Sequence, residues 1–158
     1  MERQGFIHAF ISVTVISLVI VFTIVGVIHR FNASAIGPTI ILLSFVPLIA
    51  LRLFGRSIKS CGADIVFGAI DTGFLGIAAL IGASLAGVLG AIVGGAVGDS
   101  ITDGFAGLFE GKVAQHLRRH GIAEARTPLS SSMGKMSGCL LGVGIVLTAA
   151  WSILGMNP

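Results

Sequence analysis

The chain has 158 residues, 54% of them hydrophobic and 11% charged, with a mean hydropathy of +1.01 and a formal charge of +3. Soluble domains carry about a quarter charged residues, so this composition excludes a soluble enzyme or nucleic-acid module and predicts an integral membrane protein. A span takes about 20 apolar residues, and five predicted transmembrane helices at about 6–28, 36–54, 62–82, 84–110 and 135–155 leave room for a single all-α membrane domain and no soluble one.

The first predicted span is rich in Val, Ile and Phe and has no acidic residue, the composition of a lipid-facing helix. Its apolar run is longer than the roughly 7–15-residue core of a secretory signal, so it reads as a span. The second carries Pro38 near its start and Pro47 at its middle. An interior proline removes a backbone hydrogen bond and predicts a kink.

From Gly62 to Gly111 the character changes, with 13 glycines among those residues. Gly90, Gly94 and Gly98 make successive GxxxG steps, as do Gly134, Gly138 and Gly142 in the last span. Such spacing lets helix backbones approach closely. It predicts a glycine-rich hairpin of the third and fourth spans packed by GxxxG ridges, which would face either another helix of the chain or a second protomer; a homo-oligomer is the expected assembly. A repeat lies in the same region: 70–77 aligns with 101–108, matching Gly, Phe and Gly and exchanging Asp with Thr. Consecutive spans run in opposite directions, so the two copies are inverted, an arrangement of transporters with sites where the repeats meet.

Beyond the fourth span, 112–120 is expected to continue that helix into the cytoplasm, within a cytoplasmic loop placed at about 111–134. His116 and His120 share a face there but sit beside Arg118 and Arg119, which favours a solvated basic surface near lipid phosphates over a metal pair. The segment 123–132, with Pro128 and a serine run, reads as loop. With the first terminus cytoplasmic, nine of the ten Lys and Arg residues fall inside and only Arg30 outside. The expected setting is a bacterial inner membrane, with the N-terminus cytoplasmic and the C-terminus outside. Cys61 and Cys139 then lie at cytoplasmic span ends, where thiols stay reduced. Both read first as small packing residues; Cys61 stands three residues before Asp64, and a soft-metal pair is the alternative.

Five of the seven acidic residues, Asp64, Asp71, Asp99, Asp103 and Glu110, interrupt this apolar region. A carboxylate near the bilayer centre costs about 2.5–3.5 kcal/mol on insertion scales. Asp64 and Asp71 are two helical turns apart on one face, and Asp99, Asp103 and Glu110 fall within about 40° of one another on the next helix. A hairpin turning near Leu85 would set Asp71 level with Asp99, with Asp103 and Asp64 continuing inward and Glu110 at the cytoplasmic mouth. Thr72, Ser100 and Thr102 add hydroxyls nearby. Oxygen ligands suit hard cations, and neither of these spans contains a Lys or Arg to neutralise the acids. The expectation is therefore transport of a small cation through a carboxylate-lined path. A divalent ion (Mg, Mn or Ca) is the first choice, with Asp71, Asp99 and Asp103 binding it and Asp64 and Glu110, which also read as ordinary helix-end charges, concentrating it at the cytoplasmic mouth; protons are the second. The competing reading is a non-catalytic scaffold or partner subunit assembled on the glycine ridges. No zinc, phosphate-loop, dinucleotide or serine-nucleophile spacing is present, and neither an enzyme nor a nucleic-acid partner is expected; the lipid bilayer is the expected surroundings.

Overall fold

The computed structural model describes residues 2–119 and 127–156, and every described element is helical. In chain order these are α1 (Glu2–Arg30), α2 (Ile36–Leu43), α3 (Phe45–Leu53), α4 (Gly62–Arg119) and α5 (Pro128–Leu147), which runs on as a π-helical turn over Thr148–Ile153. Four helical stretches among the described residues are long and apolar enough to cross a membrane: Phe6–Arg30, Ala33–Leu53, Gly62–Phe109 and Pro128–Ile153. Large apolar side chains face outward along them, including Phe10, Phe22, Ile92 and Phe105, the inverse of a soluble protein and the pattern of a chain solvated by lipid.

α4 is not one rod. At Ala86 and Gly87 the backbone leaves helical geometry, Gly87 with φ +58°, where a side chain would be strained. The arms before and after this break fold back on each other. Gly90 meets the carbonyl of Gly82, Gly94 that of Ala78, and Gly98 the side chain of Ala78. Because partners descend on one arm as they ascend on the other, the arms are antiparallel.

α5 is the element around which the rest is arranged, packing most extensively on α4, then on α2, α3 and α1. Gly134 sits on Cys61 and Asp64, Gly138 on the backbone of Ile65 and Gly142 on the backbone of Ala69. Here the numbers rise together, so α5 runs parallel to the first arm of α4. Against α2 it is antiparallel, with Gly37 on Thr148 and Gly144 on Ile41. Ile16, Leu51, Cys61 and Met133 form a small core at one end of this arrangement.

Local sequence explains the ends and breaks. The α2–α3 break at Ser44 precedes Pro47, which has no N–H to give the Leu43 carbonyl four residues before it; the neighbouring Ser44 carbonyl accepts a bond from Ser137 Oγ at 2.7 Å. α3 closes with Gly55 at φ +70° and a bond from the Arg56 amide to the Leu51 carbonyl, a Schellman end. α5 opens on a reciprocal cap: Thr127 Oγ1 accepts from the Ser130 amide at 3.2 Å, and Ser130 Oγ accepts from the Thr127 amide at 3.0 Å. Pro128 occupies the first turn, where its missing N–H costs nothing.

Two sequence expectations are corrected by these elements. The loop placed at 123–132 is helical from Pro128, because the serine run supplies a cap rather than a coil, so the last helix starts earlier than 135. The hairpin turns at Ala86–Gly87 rather than at Leu85, since only glycine there accommodates the positive φ.

Candidate functional site

Each arm of α4 contributes one member of a polar cluster, and α5 contributes a third. Asp71, on the first arm, is buried, with a side chain 10% exposed. Thr102, on the second arm, donates to Asp71 Oδ1 at 2.6 Å. The Thr102 hydroxyl also lies 3.1 Å from the Gly98 carbonyl and 3.0 Å from that of Asp99. A hydroxyl has one proton, and the shortest of the three contacts assigns it to the carboxylate. From α5, Lys135 Nζ stands 3.4 Å from Asp71 Oδ2. Gly134 packs on Cys61 and Asp64, and Gly142 on Ala69, so the Lys135 backbone lies about two helical turns before Asp71. The long Lys135 stem spans that offset and brings the ammonium to the carboxylate.

The Lys135 side chain is 43% exposed, so its stem lies along the helix while the ammonium keeps access to the surface. Asp103, one residue beyond Thr102 and exposed, acts on the same ammonium electrostatically. One turn before Asp103, Asp99 is half-buried, and its carboxylate takes no hydrogen bond from a described residue. Nearer the start of α4, the buried Asp64 accepts a bond from Ser131 Oγ at 3.1 Å. α5 thus meets both acids of the first arm, Asp64 through a hydroxyl and Asp71 through an ammonium.

Below Asp64, Cys61 is fully buried and donates from Sγ to the Ile58 carbonyl at 3.1 Å. Burial, and then the Asp64 carboxylate, push its thiol above the ordinary range. Among the described residues no three His, Cys, Asp or Glu side chains converge as a metal cage. The side chains of Glu110 and His116, and all of His120, lie outside the described residues.

No match to this chain is found among protein-family models, curated proteins or solved structures.

Geometry therefore carries the reading of the site. It alters the expected pairing: Thr102, not Asp99, stands opposite Asp71, because the later turn shifts every partner on the second arm. It also alters the charge balance. Neither arm of α4 holds a basic residue near Asp71, but Lys135 of α5 supplies the positive charge that an empty path would have required of a bound ion. The Lys135 position was legible in principle from the Thr127–Ser130 cap and Pro128, which begin the helix early enough to place it in the second turn.

One further relation sits at this point. Asp71 and Thr102 are 31 residues apart, the offset of the internal repeat. In an antiparallel hairpin, two equivalent positions that touch each other mark the place where the two copies exchange. The hydrogen bond thus lies at the centre of the inverted repeat, flanked by the equivalent pairs Ile70 with Ile101 and Phe74 with Phe105.

Proposed function

We propose that this protein moves cations across a membrane through the Asp71–Thr102–Lys135 cluster, and that the proton is favoured over a divalent metal. The observation that carries this is the Asp71–Lys135 pair, 3.4 Å apart between two apolar helices. Ionisable groups at such positions are costly and mark ion paths and proton relays. A fixed ammonium beside the carboxylate repels a dication, whereas a carboxylate and an amine within contact of one another can each hold or release a proton. Thr102 keeps Asp71 Oδ1 oriented as charge at Oδ2 changes. Asp103 on the second arm, exposed and in range of Lys135, offers the next acceptor.

In this reading the two arms of α4 are separate crossings, which makes five spans, with the basic loops cytoplasmic, the C-terminus outside and the bacterial inner membrane as the setting. The glycines of the ridges are occupied within the chain: Gly138 and Gly142 on the first arm, Gly90 and Gly94 between arms. A homo-oligomer or a scaffold would have to be built on other surfaces, which weakens the assembly reading relative to transport.

The test is reconstitution in liposomes carrying an internal pH dye, driven by a potassium diffusion potential, alongside a manganese-quenched dye in parallel vesicles. Proton flux that is lost in Asp71→Asn and in Lys135→Met, with no manganese entry, is the expected result. Manganese entry without proton flux would reverse the choice of ion, and wild-type proton flux in Asp71→Asn would end the proposal.

A further inference from the structure

Between the arms of α4 lies a cavity of about 300 Å³ whose walls include Phe67, Phe74, Phe105 and Phe109 and whose polar edge is Asp71 with Thr102. The Phe67 and Phe109 rings stand 6.3 Å apart at 35°. Phe74 is 59%, Phe105 61% and Phe109 56% exposed, so the cavity opens sideways, toward the acyl chains. Nearly everything in it is apolar except one carboxylate, whose side chain is nine-tenths buried.

A proton path needs no aromatic wall, and a hydrated metal ion is poorly served by one. Four phenylalanine rings lining a cavity with a carboxylate at its edge suit a different guest. Aromatic faces attract positive charge through their quadrupole, most strongly where water is excluded, and aromatic cages are the usual receptors for quaternary ammonium groups. The Lys135 contact, at 3.4 Å, is longer than the roughly 2.7–2.9 Å of a tight charge-assisted bond, and the Lys135 side chain is 43% exposed, so its ammonium can turn outward and leave the carboxylate charge to a monovalent guest, at a smaller cost in repulsion than a dication would meet. A neutral acyl chain would fill the same walls but would gain nothing from the charge.

We propose that this cavity binds a lipophilic monovalent organic cation, entering from the bilayer, with its positive centre beside Asp71 and its apolar groups against the phenylalanine rings. The site deepens the transport reading, because the carboxylate is the same one, but binding is measurable without any gradient or flux.

Tetraphenylphosphonium and tetraphenylborate have nearly the same size and shape and opposite charge, which makes them suitable probes. Equilibrium binding to the full chain in nanodiscs, corrected for empty nanodiscs, is expected to be saturable for the phosphonium and absent for the borate. Asp71→Asn should weaken the phosphonium by at least tenfold. Phe105→Ala, at a mostly exposed position where truncation leaves the helix packing alone, should weaken it by about tenfold, the size of a desolvated cation–π contact. Equal binding of both ions would make the cavity a generic apolar pocket and overturn the proposal. So would unchanged phosphonium binding in Phe105→Ala, even if Asp71→Asn fails to fold. Phosphonium binding with neither proton nor manganese flux would leave this site standing and remove the transport reading; proton flux without phosphonium binding would do the reverse.

Discussion

At the residue scale, Asp71 has its two carboxylate oxygens addressed from two different segments, the second arm of α4 and α5. Thr102 holds one and Lys135 approaches the other, so the side chain ties both arms of α4 to α5. Removing one partner of such a group leaves a charge in a poorly solvating place, which is why buried pairs are costly to break even when they add little net stability. Cys61 shows the opposite use of burial. Its thiol is pushed up by burial first and by Asp64 second, so it holds its proton to higher pH than a free thiol. Alkylation by iodoacetamide in the folded protein should therefore be slow at pH 8 and accelerate at higher pH than alkylation of the unfolded chain. Asp64→Asn should move that acceleration to lower pH without abolishing it, since burial remains. Rapid alkylation of Cys61 at pH 8 in the folded state would contradict this account.

At the element scale, the contacts that matter are between backbones. A Cβ on Gly138 would fall on the Ile65 carbonyl, whereas one on Gly104 or Gly107 would meet nothing within 4 Å. Gly138→Leu is thus expected to push α5 off the first arm and lower stability by about 1–3 kcal/mol or more. Gly104→Leu should be close to neutral. Thermal unfolding in detergent reads both, and equal effects would show that glycine content, not position, governs the packing. Much of this element structure was legible in the sequence, because hydropathy and the glycine-rich composition are properties of single segments. The pairing across the hairpin was not. Moving the turn from Leu85 to Ala86–Gly87 carries the partner of Asp71 from Asp99 to Thr102, and no periodicity fixes a turn that closely. Lys135 escaped for a related reason: the serine run ahead of it reads as coil by composition, while its actual role is to cap α5.

At the scale of the whole molecule, charge asymmetry and helix direction make one prediction together. If each arm of α4 crosses the membrane, α1 and α5 end on the outer side, and the basic residues Arg52, Arg56, Lys59 and Arg119 remain inside. A phosphatase fused after Met156 should be active, while a fluorescent protein inserted after Arg119 should fluoresce. An inactive phosphatase fusion that is nevertheless stably made would mean that α4 crosses once instead of as a hairpin, or that the whole chain is inserted the other way round. The candidate site was only half visible at this scale from the sequence. Its acids stand out against an apolar background, but its cation and its aromatic walls become a site only when the arms close.

The parallel packing of α5 on the first arm has a consequence for how the protein is made. Two neighbouring helices that point the same way cannot be joined by a short loop, so the whole second arm must be synthesised between them. Asp64 and its partner Ser131 are 67 residues apart, which at about 5–20 residues per second keeps Asp64 and Asp71 waiting several seconds after they leave the ribosome. During that interval Asp71 has emerged without Lys135. The nascent chain must shelter this charge inside the insertion machinery or at the bilayer surface until its last helix arrives.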